Sequence, residues 1–144
     1  MPKTLVDQSG FLYARLKESG LKLTSSRKVV LNTFLKHHGP FGAEELHKKF
    51  LSKQCDLTTV YRILSSLEEV SLIARCDLGD GIARYELIHE DHHHHHLICT
   101  DCKKLEVIED CKVDESFERI GKKRGFKNLS HRLEFFGICP ECQK

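Results

Sequence analysis

Two cysteine pairs, Cys99-x-x-Cys102 and Cys139-x-x-Cys142, constrain this chain more than any other feature. Four thiolates at this spacing suit a tetrahedral zinc ion, and a closed four-sulfur shell is structural rather than catalytic. The ion would tie the 36 residues between the pairs into one loop, stapling a unit too small to build much of a core. At 144 residues the chain holds one ordinary domain or two very small ones, so such a staple matters. Unpaired buried thiols and a redox pair are the competing readings of the same four residues. Cys55, Cys76 and Cys111 read as small hydrophobes.

The choice between metal and disulfide depends on compartment. The start, Met1-Pro2-Lys3-Thr4, lacks the apolar stretch of a signal peptide, and no apolar run is long enough to span a bilayer. The expected location is therefore the cytoplasm, where thiols stay reduced and paired cysteines serve as metal ligands. No membrane partner is expected.

Hydrophobic periodicity divides the chain in two. A weakly amphipathic helix over 7–18 stops at Gly20. Thr24 or Ser25 caps a helix with apolar residues Val30, Leu31, Phe34 and Leu35, ended by Gly39-Pro40. A helix over 43–53 turns Leu46 and Phe50 inward. Another opens at Asp56 or Thr58, with Val60, Ile63, Leu64 and Leu67 on one face and Thr58, Tyr61, Arg62 and Ser65 on the other. Strand-like stretches over 72–78 and 82–87 flank Gly79-Asp80-Gly81, a hairpin turn. Helices followed by a β-hairpin give the order of a winged helix-turn-helix. Beyond the boundary near 88–91 come strand (94–99), strand (104–108), helix (113–123, with Val113, Phe117 and Ile120 inward) and strand (132–138). The expected fold class is α+β: residues 1–88 a winged-helix DNA-binding domain, residues 89–144 a small α/β dimerisation domain holding the four-cysteine zinc site.

Five consecutive histidines, His92 to His96, precede the first cysteine pair. In an extended chain His92, His94 and His96 point one way and His93 and His95 the other, so one strand could feed two metal sites. A solvated low-complexity tract is the plainer reading. Against it stand further donors at suitable places, Glu86 upstream and Asp114 and His131 downstream. Catalytic metal chemistry does not fit. Zinc deaminases need H-x-E and P-C-x-x-C, but Ile138 precedes Cys139 and no histidine has a glutamate two residues on. The chain is not expected to be an enzyme.

Net charge is +2, but residues 1–53 carry ten Lys/Arg against four Asp/Glu, leaving −4 for the rest. A basic first half suits a polyanion, although ordinary surface charge accounts for this much asymmetry often enough to decide little alone. Thr58, Thr59, Tyr61 and Arg62 are the residues a recognition helix would push into a major groove, where Arg reads guanine or grips phosphate. Taken alone, a polar helix face is usually just solvated.

These residues sit in a longer pattern. Gly20-Leu21-Lys22-Leu23-Thr24 with Arg27, Ala43-Glu44-Glu45-Leu46, Thr59-Val60-Tyr61-Arg62, Tyr85-Glu86-Leu87, and the histidine run leading into Cys99-x-x-Cys102 with the closing pair resemble the ferric uptake regulator family, in order and over residues 12–142. The resemblance implies a homodimer, with tetramers as an extension. Metal would close its two winged helices onto a palindromic double-stranded DNA operator, repressing metal-homeostasis genes. It implies DNA contacts from Tyr61, Arg62 and Lys22, with Arg27, Thr58 and Thr59 in the same surface, and structural zinc on Cys99, Cys102, Cys139 and Cys142.

The resemblance also implies two regulatory sites. Glu86, His94 and His96 match the family's hinge site, but its other two positions fall on Pro40 and Val107, with Glu106 pointing the other way. His37 or His38, or Cys76 on the wing, are candidates to replace the lost donor. His93, His95, Asp114 and His131 match all four ligands of the family's second site. A donor set richer in nitrogen, with sulfur available, leans toward Zn2+ over Fe2+ or Mn2+. Iron or peroxide sensing is the alternative within the family, and a metal-independent, zinc-stabilised nucleic-acid or protein interaction module the alternative outside it.

Overall fold

The computed structural model describes residues 5–37, 39–88, 95–108, 114–127, 129 and 131–144. The chain divides into two compact units, Met1–Asp77 with Gly81–Ile88, and Leu78–Asp80 with His89–Lys144.

In the first unit α1 (Leu5–Glu18) ends where Gly20 takes φ 80°, letting Leu21 N–H reach Leu16 O (3.3 Å) and Gly20 N–H reach Lys17 O (3.1 Å). This paired closure satisfies helix-end carbonyls and needs a left-handed residue at its centre. α2 (Ser25–Lys36) starts on Thr24, whose Oγ1 accepts from Arg27 N–H at 3.2 Å. α3 (Ala43–Leu46) continues as a π-helical turn (His47–Leu51), so the helix expected over 43–53 loses regular form in its second half. α4 (Leu57–Glu69) is capped by Asp56, which accepts from Thr59 N–H at 2.7 Å. Its stripe Val60, Ile63, Leu64 and Leu67 is buried among Leu16, Val30, Leu31, Phe34, Leu46 and Leu51, and together they form the core of this unit.

The hairpin consists of β2 (Ile73–Asp77), one residue shorter at each end than expected, and β3 (Ala83–Leu87), which starts one residue late and ends where expected. Its register pairs Ile73 with Leu87, Ala74 with Glu86 and Cys76 with Arg84. Strand alternation therefore sends Ile73 and Leu87 into the helical core and leaves Ala74, Cys76, Arg84 and Glu86 on the other face. Sequence periodicity did not reveal β1 (Phe41–Gly42), which pairs with Tyr85 and Arg84 to give sheet order β1-β3-β2. A two-residue strand is too short to show alternation.

The second unit is a sheet of β4 (His95–Cys99), β5 (Leu105–Ile108) and β6 (Glu134–Gly137), with α5 (Asp114–Lys123) between β5 and β6 in sequence. The order is β5-β4-β6; β4 runs antiparallel to β5 and parallel to β6. One expectation fails here. Phe117 and Ile120 are 56% and 48% exposed in the single chain rather than turned into a core, and Val113 lies outside the described residues. Three short strands offer too little apolar surface to cover that stripe, and Phe135 and Phe136 of β6 are exposed as well.

Two outcomes follow for the helical unit. Leu64→Ala, which opens a cavity beneath α4, is expected to cost about 2–5 kcal/mol in denaturant unfolding. The Thr59 N–H holds the Asp56 carboxyl below its usual 3.8. The charged cap therefore stabilises the fold above that value and loses its contribution as pH falls through the lower folded one. Asp56→Asn keeps the cap without the charge, so the gap between wild type and variant should shrink on acidification from about pH 7 to about pH 3, as followed by thermal melts.

Candidate metal centre and nucleic-acid interface

Parallel pairing of β4 and β6 puts the ends of both strands at one edge of the sheet, and each cysteine pair begins at such an end. Thr100 N–H donates to Gly137 O at 2.8 Å, locking the two ends in register. Tight turns follow, closed by Lys103 N–H on Cys99 O (3.1 Å) and Cys142 N–H on Cys139 O (3.0 Å). All four sulfurs of Cys99, Cys102, Cys139 and Cys142 lie within 4.8 Å of one another, and Cys102 Sγ is 3.7 Å from Cys139 Sγ. A tetrahedral ion about 2.3 Å from each thiolate separates its sulfurs by about 3.8 Å, so the spacing fits zinc.

The electrostatics fit as well. Backbone N–H groups of Cys139 and then Cys102 pull the Cys99 thiol down to about 6, and Cys139 N–H lies 3.3 Å from Cys99 Sγ. Cys142 is pushed up to about 12 by the side chains of Cys139 and then Cys102. Four crowded sulfurs thus place the first negative charge on Cys99 and hold a proton on Cys142, a conflict that a divalent cation relieves. Lys104 Nζ donates to Glu141 Oε1 at 3.1 Å, bridging the two pairs. No sequence pattern marks that ion pair, because its partners are far apart in the chain.

His95 and His96 are adjacent on β4 and face opposite sides of the sheet; His95 pairs with Ile108 and His96 with Val107. The ring of His95 is buried, and its Nε2 lies 3.3 Å from Nε2 of half-buried His131. Two imidazoles on one tetrahedral ion, each about 2.0–2.1 Å away, have nitrogens about 3.3 Å apart. Of the other residues expected with them, His93 lies outside the described residues, and Asp114 is the first residue of α5, its side chain undescribed.

On the wing, Cys76 and Glu86 share one face of the hairpin, with Sγ and a carboxylate oxygen within 4.8 Å. Cys76 is buried and Glu86 half-buried. Val107 occupies the same face of its sheet as His96, and Glu106, opposite Leu97, faces the other way. His37 stacks on Phe50 with ring centroids 4.6 Å apart, while His38 and His94 lie outside the described residues.

The exposed face of α4 presents Thr58, Tyr61, Arg62 and Ser65, with Thr59 half-buried beside them. Lys22 is exposed in the link between α1 and α2. Arg27 differs from the rest: it is half-buried, and its Nη1 donates to Lys22 O at 2.7 Å.

A helical unit with a three-stranded wing, followed by a sheet that carries four clustered cysteines, defines a winged-helix DNA-binding protein with a cysteine metal site. The model of the ferric uptake regulator family matches residues 18–136. The ferric uptake regulation protein of Legionella pneumophila is 35% identical over 134 residues, covering 90% of this chain and 96% of its own. The structure of the Helicobacter pylori ferric uptake regulator, described as having three functional metal binding sites, superposes with TM-score 0.72 at 29% identity over 99% of this chain and 95% of that one. The Pseudomonas aeruginosa ferric uptake regulator with manganese gives TM-score 0.76 at 25% identity, over 89% and 97%. The chain belongs to the ferric uptake regulator family, and is a metal-responsive transcriptional regulator rather than an enzyme.

For the cysteine site, metal analysis of the purified chain should find one firmly held ion, lost in Cys139→Ser. Removing it should loosen the second unit, seen as faster amide exchange in β4 and β6 with α2 and α4 unchanged. Because Cys99 lies below an ordinary thiol, the metal-free site offers its first thiolate above about 6, so uptake of the ion by the metal-free chain should weaken as pH falls through that value.

Proposed function

We propose that this protein is a cytoplasmic repressor that binds a double-stranded operator as a homodimer and tightens its grip when a regulatory divalent metal is bound. Residues 1–88 form the DNA-binding domain and residues 89–144 the dimerisation domain. Lys22, Thr58, Thr59, Tyr61 and Arg62 meet the DNA; their exposure on α4 and the link before α2 supports this. A two-fold dimer requires two half-sites in inverted order, hence a palindromic operator. The exposed Phe117, Ile120, Phe135 and Phe136 support pairing of two chains through their second units, and tetramers would extend the same assembly.

The hinge site in this reading consists of Glu86 and Cys76 from the wing with His94 and His96 from the histidine run, His38 being the remaining donor. The observation that carries it is the convergence of Cys76 and Glu86 on one face of the hairpin. His93, His95, Asp114 and His131 form the second site, supported by the 3.3 Å approach of His95 to His131. With the cysteine cluster these make three donor sets, the number described for the Helicobacter pylori protein. A bound divalent ion supplies one positive centre that donors from both domains share. Glu86 and Cys76 then hold the wing in the arrangement that fits the operator, a shift in population rather than a new fold. A thiolate beside imidazoles selects Zn2+ over Fe2+ or Mn2+.

The test is operator-length DNA binding by protein retaining its cysteine-bound ion, titrated separately with Zn2+, Fe2+ and Mn2+. Zinc should raise affinity by about tenfold or more, about 1.4 kcal/mol, and Glu86→Ala and Cys76→Ser should each remove most of that gain. A larger response to iron that survives Cys76→Ser would make this an iron sensor. Equal binding with and without added metal would sink the regulatory reading in favour of a metal-independent interaction module.

A further inference from the structure

Arg27 lies in the first turn of α2, five residues beyond Lys22, yet its guanidinium is turned onto the protein. Nη1 donates to Lys22 O at 2.7 Å, and Nε is enclosed with no hydrogen-bond partner among the described residues. The same carbonyl accepts Thr24 N–H at 3.1 Å, while Thr24 Oγ1 accepts Arg27 N–H at 3.2 Å. Upstream, the Gly20 closure of α1 anchors the other end of the segment, and Leu21 packs against the core. Lys22 is thus held from both sides through its backbone, with its own side chain exposed. A charge-assisted hydrogen bond to a carbonyl is among the stronger polar contacts available at a surface. It restrains a link that would otherwise be free to reshape when Lys22 meets a phosphate.

We propose that Arg27 is a positioning residue for DNA binding: it fastens the Lys22 carbonyl so that the Lys22 ammonium is presented from a link of fixed shape, and it does not itself grip the DNA. The proposal rests on Lys22 being a DNA contact, as argued above. Preorganisation of this kind strengthens binding by removing an ordering cost, not by adding a charge contact.

Two measurements on the full chain with its cysteine-bound ion test it. The first needs no DNA: limited trypsin cleavage at the Lys22–Leu23 bond should run several-fold faster in Arg27→Met than in wild type, with cleavage after Lys28 unchanged. An unchanged rate at Lys22 means that Arg27 holds nothing there, and the proposal fails. The second is operator affinity across a range of salt for wild type, Lys22→Ala, Arg27→Met and the double variant. Positioning predicts that each single change weakens binding to a similar extent and lowers the slope of log K against log salt by about one, and that the double variant is little worse than either. Losses that multiply, with a slope reduced by about two, show that Arg27 grips phosphate itself and overturn the proposal. If Lys22→Ala leaves affinity untouched, Lys22 is no DNA contact and the positioning role falls with it, while the trypsin result still reports on the clamp. Should Arg27→Met fail to fold, Arg27→Gln, which removes the charge and shortens the reach, is judged by the same criteria.

Discussion

The second unit depends on four sulfur atoms being held at one point. Its described side chains bury little: Leu78, His95, His96, Ile98 and Cys99 are enclosed, while Leu97, Val107, Phe117, Ile120, Phe135 and Phe136 stand open in the single chain. Among the described residues, the first unit buries sixteen in one continuous cluster. Hydrophobic burial scales with enclosed area, so the second unit lacks the driving force that the first has in excess. Cross-linking the ends of β4 and β6 through a metal supplies what packing does not: backbone N–H groups lower Cys99 while neighbouring sulfurs raise Cys142, and a cation answers both.

The helical unit answers a different requirement. Its wing and α4 rest on one rigid support. α4 is fixed by burial of one whole face and by Asp56 at its start. The wing is fixed by Ile73 and Leu87, which reach into the same core, leaving its opposite face to carry Cys76 and Glu86. Strand alternation alone thus gives one hairpin two faces: one packs into the core, and the other sets Cys76 and Glu86 side by side.

Much of this was legible in the residues. Gly20, Thr24, Asp56 and the Val60, Ile63, Leu64 and Leu67 stripe placed helix boundaries and inward faces because capping and 3.6-residue periodicity are local. The cysteine spacing announced its cluster, and period-two alternation separated His95 from His96. What escaped were features set by distant partners. β1 is too short for any pattern, the π-helical turn at His47–Leu51 has no compositional mark, and the Lys104–Glu141 pair joins segments far apart in the chain. Phe117 and Ile120 show the complementary error: an amphipathic helix declares an apolar face but not whether its own chain has anything to cover it.

The parallel pairing of β4 with β6 carries a further consequence for how the protein is made. A hairpin would bring two cysteine pairs together almost as soon as they were synthesised, but a parallel partner needs the whole of β5 and α5 to be laid down first. Until β6 has docked, Cys99 and Cys102 can offer an ion only two sulfurs, and a two-sulfur site holds zinc far less firmly than a closed shell. Firm metal retention is therefore a late event that certifies a finished second unit, and a chain stalled or misrouted between β5 and β6 gives up its ion to any competing ligand.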